Sequence, residues 1–225
     1  MIYYFKRILI AVLLANGLTL TAQPTQNVRD MTLKTTFDST ADRMPLITGG
    51  CLTMTAASAH TSLAIMALEL SAGKKIDQPI KKFLIKQADK LRLYIDSLNK
   101  LSAFDFTIFN NVRLPVNNHQ TDSTSAYYIA MIKATGSPLK AARCILSVLG
   151  CIDSCAAFCN GKARNDLLGS AYMLEGCAKS LFALMTSNIA SLTTTDQQIW
   201  NTRLSETMST LLGVSKRIES IPNLQ

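Results

Sequence analysis

The stretch PIKKFLIKQADKLRLYIDSLNKLSAFDFTIFNNVRLP, residues 79–115, decides the fold class. Its apolar residues recur at alternating spacings of four and three, which is the period of one face of an α-helix. Pro79 and Pro115 lie at the two ends, where proline is tolerated. We therefore expect one long helix that packs lengthwise through Ile80, Leu84, Gln87, Leu91, Tyr94, Leu98, Leu101, Asp105, Ile108 and Val112.

The segments on either side of this stretch also predict helices. Small residues dominate the run from Cys51 to Ser71, which indicates a central helix that its neighbours approach closely and that Gly73 ends. Gly136-Ser137-Pro138 is expected to break the chain between two helices, because proline removes a helical hydrogen bond. The fold class predicted is all-α, a bundle of long antiparallel helices at about 35–43, 51–71, 79–115, 123–135, 138–159 and 163–191, with a last helix after Thr193.

The first 22 residues are typical of a secretory signal peptide. Lys6 and Arg7 precede a short apolar run, and Ala22 is a small exit residue. The run is too short and too interrupted for a stable membrane span. Residues 23–47 are read as a mostly irregular lead-in and 48–225 as the domain. The protein is expected to be exported or periplasmic if the signal is used, and cytoplasmic if translation starts at Met31.

The charge and the histidine content limit the classes of function that the sequence allows. The formal net charge is +8, which favours an acidic ligand, but the basic residues are scattered and no nucleic-acid groove is expected. The two histidines, His60 and His119, do not support a His-based metal site or a Ser-His-Asp triad. We expect no bound metal or cofactor.

Six cysteines give conflicting indications. An even number suits disulfides in an exported protein. Four of them are spaced by seven, four and four, however, and such neighbours on one helix face lack disulfide geometry. Reduced thiols of this kind either fill close helix contacts or line a site for a soft ion such as Cu(I). The four are Cys144, Cys151, Cys155 and Cys159.

Asp105 and the pair Gly49-Gly50 are the candidate functional residues. A carboxyl on an apolar seam must be paired, hydrogen-bonded or protonated, and such a group can serve as a general acid or base. The alternative is that Asp105 reaches solvent or pairs with a lysine. Glycines before a helix let a ligand approach the backbone N–H groups, although a plain turn has the same composition.

Five runs together resemble the cyclodeaminase/cyclohydrolase family, which includes formiminotetrahydrofolate cyclodeaminases and methenyltetrahydrofolate cyclohydrolases. They agree in order and spacing over roughly residues 32–220. The resemblance implies an all-α homodimer that acts on a tetrahydrofolate derivative by acid/base catalysis, closing a formimino group onto the neighbouring nitrogen with release of ammonia. The runs are TGGCLTMTAASAH, GKK, AFDFTIFNNVRLP, ATGSPLKAA and NGKARNDLLGSAYMLEG.

The same resemblance implies site residues. The family's catalytic Asp falls on Leu101, and we hypothesise that Asp105, one helical turn or about 5.4 Å further along, supplies the displaced carboxylate. A competing interpretation is a homologue that has lost the reaction and binds a folate-like ligand or a protein partner. Asp166 matches the family's pattern but is equally suited to cap a helix. The substrate-binding residues implied are Gly49, Gly50, Arg113, Asn160 and Asp166.

Overall fold

The structure, a computed structural model, describes residues 30–42, 47–73, 75–113 and 125–221. Within these ranges the chain forms six α-helices and no strands, which confirms the all-α class. The signal-like segment lies outside the described residues, as do residues 23–29 and 43–46 of the lead-in. The helices are α1 (Leu33–Ala41), α2 (Gly49–Ala72), α3 (Gln78–Arg113), α4 (Ala126–Cys155), α5 (Gly161–Ile189) and α6 (Thr194–Glu219).

Helices α2 to α5 form an antiparallel bundle. The start of α2 lies beside the second half of α3, where Thr48 reaches Asp105, and the end of α2 lies beside the first half, where Glu69 pairs with Arg92. Helix α4 runs antiparallel to α3, and α5 runs antiparallel to α4. Helix α6 packs outside, against α4 and α5, and runs parallel to α4, so that Arg217 near its end pairs with Asp153 of α4 at 2.7 Å.

The long predicted helix forms, and its buried face is rotated slightly from the predicted seam. Ala88 and Ser102 are buried at the centre of the face, whereas Gln87 and Leu101 are only partly buried. Small side chains at the centre let α2 approach α3 closely. The Ser102 hydroxyl uses this closeness to donate a hydrogen bond of 3.2 Å to the carbonyl oxygen of Cys51.

The break expected at Gly136-Ser137-Pro138 is wrong, because α4 continues through Pro138. Proline has no N–H, so the carbonyl of Ala134, four residues earlier, loses its helical donor. The side-chain amide of Asn188 on α5 donates to this carbonyl oxygen at 2.9 Å. The missing hydrogen bond is therefore replaced from a neighbouring helix, and α4 does not have to end.

The expected helix through Cys159 is also corrected. Helix α4 ends at Cys155, and a short 3-10 turn over Ala156–Phe158 precedes Cys159. Cys159 therefore leaves the helical face that holds the other three cysteines. All six cysteines are free thiols.

Two segments, Gly49–Ala72 and Ala126–Phe158, are long and apolar enough to cross a membrane by length and composition. In the bundle 50% of the apolar window of the first and 56% of that of the second are buried against other helices. Core helices of soluble bundles pass the same test of length and composition. This composition is therefore weak evidence for a membrane span.

Candidate functional site

Asp105 of α3 lies at the N-terminus of α2. The Thr48 side chain is the N-cap of α2, since the N–H of Cys51 donates to its Oγ1 at 3.0 Å. The same hydroxyl donates to Oδ2 of Asp105 at 2.7 Å. One threonine thus both caps the helix and binds the carboxyl group, which places Asp105 at the positive end of the α2 dipole.

Gly50 makes room for this carboxyl group. A Cβ atom at position 50 would contact Oδ2 of Asp105 and would lie only 3.0 Å from its Cγ. Any larger residue would push Asp105 away from the helix start. Gly49 differs, because a Cβ atom there would meet only Cδ2 of Leu184, at an ordinary 3.8 Å. Of the two predicted glycines, Gly50 is therefore the one that Asp105 requires.

Cys51 and Ser102 close the buried side of the site. The Cys51 thiol is fully buried, donates to the carbonyl oxygen of Ser102 at 3.2 Å and lies 3.8 Å from Oδ2 of Asp105. The pKa of Cys51 is raised to about 11, chiefly by burial and also by the negative charge of Asp105, against the opposing hydrogen bond with Thr48. The residue is a neutral thiol that donates weakly, not a thiolate nucleophile.

The environment of Asp105 favours its protonated form more than water does. Burial raises the pKa of the carboxyl above its ordinary value, while the hydrogen bonds with Thr48 and Cys51 and the interaction with Ser137 oppose the rise. Asp105 takes part in none of the ion pairs formed among the described residues, so the alternative of a lysine partner finds no support there. A half-buried carboxyl with a raised pKa is suited to exchange protons with a ligand.

Ser137 on α4 completes the surroundings of Asp105. It is 1% exposed, and its interaction lowers the pKa of Asp105. Sequence reasoning missed it, because Ser137 was read as part of a helix break. It also missed Thr48 as a partner of Asp105, although a threonine before Gly49-Gly50 is a recognisable N-cap signal.

Leu101 occupies the place where the resemblance puts the family's carboxylate. Its side chain is partly buried and packs against the main apolar core. Asp105, one turn later, lies beyond that core at the start of α2. In this chain the polar site is therefore at Asp105 and not at Leu101.

The structure places the predicted binding residues Asn160 and Asp166 away from Asp105 within one chain. The Asn160 amide donates to Oγ of Ser71 at 3.3 Å. Ser71 follows Gly50 by 21 residues on α2, which is about 32 Å. Asp166 is exposed on α5 and is not a cap, since Asn160 holds the N-cap position. Arg113 ends α3, and its side chain lies outside the described residues.

The cysteines do not gather into a group of three metal ligands in the described part of the chain. No three side chains of His, Cys, Asp or Glu converge there on a point that would hold an ion. Burial raises the pKa of Cys144 to about 11 and that of Cys155 to about 12, so both are protonated at neutral pH. Neutral thiols in close helix contacts agree with the packing interpretation of these residues.

The described residues thus form a helical bundle in which the half-buried carboxyl of Asp105 lies at a glycine-bearing helix start. Residues 32–209 match the family model described as formiminotransferase-cyclodeaminase. The chain belongs to this family, as the resemblance in the sequence implied. A search of curated proteins gave no match.

The fold is similar to that of a solved formiminotetrahydrofolate cyclodeaminase from Thermotoga maritima. The two chains superpose with a TM-score of 0.76 over 85% of this chain and 96% of the other, at 18% sequence identity. At this identity the likeness shows the fold alone. It confirms the predicted helical architecture.

Proposed function

We propose that this protein is a folate-processing enzyme of the cyclodeaminase type, with Asp105 as general acid and base. The observation that carries the proposal is the placement of Asp105 directly over Gly50, held by Thr48 at the start of α2. Family membership supports a tetrahydrofolate derivative as the substrate. Methenyltetrahydrofolate cyclohydrolysis, a reaction of the same substrate class, is the related activity to assay.

The proposed reaction needs proton transfers and no bound cofactor. The neighbouring folate N–H group attacks the carbon of the formimino group in its protonated, amidinium form, and the Asp105 carboxylate accepts the proton that the attacking nitrogen loses. The protonated carboxyl then returns a proton to the departing nitrogen, which leaves as ammonia while the methenyl bridge forms. A raised pKa suits Asp105 to both steps, because it makes the protonated form easier to reach than for an ordinary carboxylate.

The test is ultraviolet detection of methenyl-folate formed from formimino-folate by the wild type and Asp105→Asn. We expect turnover by the wild type and loss of at least about 100-fold in the variant, the usual size of a general acid/base contribution. Asp96→Asn is the matched control, since Asp96 is an exposed carboxylate on the same helix. Equal activity of wild type and Asp105→Asn contradicts the role of Asp105.

A second candidate function is a catalytically silent relative that binds a folate-like ligand or a protein partner. The observation that favours it is Leu101, an apolar residue at the position of the family's carboxylate. Tetrahydrofolate binding by calorimetry without turnover of either folate substrate would support this alternative. Turnover that depends on Asp105 would exclude it.

We also propose that the protein is a homodimer, as the family resemblance implies, and that the outer face of α2 forms the contact. Met66 and Leu70 are 42% and 54% exposed there and line a groove of about 540 Å³. Light scattering after size exclusion should give a dimer that Met66→Asp disrupts. Leu212→Asp on the outer helix α6 is the control, and a monomeric wild type contradicts the proposal.

Export remains a proposal that rests on the signal-like residues 1–22. Amino-terminal sequencing of the protein from fractionated cells tests it. A mature chain in the exported fraction that begins near residue 23 would support export. A cytoplasmic chain that begins at Met31 would support the alternative start.

A further inference from the structure

Ser137 differs from the other hydroxyl residues on its helix. The hydroxyls of Thr135 and Ser147 donate to the carbonyl oxygens four residues earlier, at 2.9 Å and 3.1 Å. Ser137 makes no such bond, and its buried Oγ has no hydrogen-bond partner of normal geometry among the described residues. A buried hydroxyl without a partner is unfavourable, so its donor capacity is available to a group that comes within reach.

The acceptor best suited to the Ser137 hydroxyl is the Asp105 carboxyl. Helix α4 packs antiparallel against α3, and the Cys144 thiol donates to the carbonyl oxygen of Tyr94 at 3.7 Å, so Ser137, two turns earlier on α4, lies within about one turn of the level of Asp105. Thr48 binds Oδ2 from the start of α2. A carboxylate accepts up to about four hydrogen bonds, and its terminal torsion is broad. Thr48 and the weak donor Cys51 both lie at Oδ2, so the carboxyl plane can still turn, and a further donor from another helix restricts it.

We propose that Ser137 is a positioning residue for Asp105: its hydroxyl bonds the ionised carboxylate and, together with Thr48, sets the plane in which the carboxyl exchanges its proton. The proposal deepens the proposed function, in which Asp105 is the acid and base. In the free protein the Ser137 hydroxyl does not form a hydrogen bond of normal geometry with Asp105. This agrees with the proposed role, because catalytic hydrogen bonds often tighten only when the ligand is bound.

The path of α4 places Ser137 at this point. Pro138 follows it directly, and Asn188 supplies the hydrogen bond that keeps the helix continuous across the proline. Gly136, just before it, lies against Trp200, where a Cβ atom would come within 3.3 Å of the indole ring. Ser137 is thus held between two tightly packed neighbours, so the position of its hydroxyl relative to Asp105 is well defined.

The decisive measurement is a titration of aspartate carboxyl carbons by ¹³C NMR on the full-length protein. Asp105→Asn identifies the resonance of Asp105 by its disappearance. Because the interaction with Ser137 lowers the pKa of Asp105, we expect Ser137→Ala to shift its titration to higher pH. Ser137→Cys keeps nearly the same volume and a weak donor, so we expect a smaller shift in the same direction.

Ser215→Ala is the matched control, because Ser215 is another buried serine whose Oγ lacks a partner among the described residues. It lies 15 residues beyond Trp200 on α6, about 22 Å from the level of Ser137. We expect no shift of the Asp105 titration in this variant. An unchanged Asp105 titration in both Ser137 variants, with both still folded, overturns the proposal.

Kinetics separate this proposal from the proposed function. In an active enzyme, Ser137→Ala should move the acid limb of the kcat/KM profile to higher pH, since the carboxylate then forms only at higher pH. A wild type without turnover contradicts the proposed function, while the NMR titration still decides the relation of Ser137 to Asp105. An acid limb that stays in place in an active Ser137→Ala enzyme contradicts the positioning role.

Discussion

The side-chain amide of Asn188 donates to the carbonyl oxygen of Ala134, 2.9 Å away, and thereby replaces the hydrogen bond that Pro138 cannot make. The two residues are 54 positions apart in the chain. This contact keeps α4 continuous next to Asp105, so the stability of the bundle and the geometry of the site depend on the same amide.

Loss of that amide should destabilise the protein measurably. We expect Asn188→Ala to lower the free energy of unfolding by about 0.5–1.5 kcal/mol, the usual net contribution of a hydrogen bond, because this contact is only partly buried. Urea denaturation gives the value. In a Pro138→Ala background the helix regains its own N–H donor, so the same Asn188→Ala change should cost clearly less. Equal costs in the two backgrounds would show that Asn188 does not compensate for Pro138.

Gly50→Ala should disturb the site where Gly49→Ala does not. The new Cβ at position 50 meets the Asp105 carboxyl, which must then move from the start of α2. We expect a loss of turnover and a lower melting temperature. Gly49→Ala adds only an ordinary contact, so its stability should stay within about 1 kcal/mol of the wild type. Similar behaviour of the two variants in turnover and thermal melts would contradict this assignment.

Asp105 should make stability depend on pH in a defined direction. Burial raises its folded-state pKa above the ordinary value of 3.8, so the folded state binds the proton more tightly than the unfolded state does. The stabilising contribution is full below that ordinary value and is lost as pH rises through the folded-state pKa. Asp105→Asn removes this dependence. Its stability relative to the wild type should therefore increase as pH rises, as measured by denaturation at a series of pH values, and a relative decrease would contradict the sign.

The buried cysteines should react slowly in the folded protein. The pKa values of Cys51 and Cys144 are raised to about 11 and that of Cys155 to about 12, so little thiolate is present at pH 8. We expect slow reaction with a chromogenic disulfide reagent in the native state and six reactive thiols after unfolding. Fast reaction of several thiols in the folded state would show that they are more accessible than the packing indicates.

The prediction of Asp105 from the sequence depended on its position on an apolar seam. That argument needs only the helical period, because a carboxyl on the buried side of a helix requires a partner wherever the helix packs. Which partner it finds depends on two other helices. Thr48 precedes Asp105 by 57 residues, and Ser137 lies on the helix after it. No spacing within the long helix encodes either contact.

The local patterns of this chain determined the helices, because periodicity and capping act over a few neighbouring residues. They sufficed for the all-α class, for the long helix α3 and for Asp105 as the candidate carboxyl. The tertiary structure alone decided that α4 continues through Pro138, that Gly50 and not Gly49 faces Asp105, and that Asn160 lies at the far end of α2. These outcomes depend on side chains from separate helices that meet only when the bundle packs. Inside the bundle, an unsatisfied polar group or a steric clash is unfavourable enough to select one arrangement.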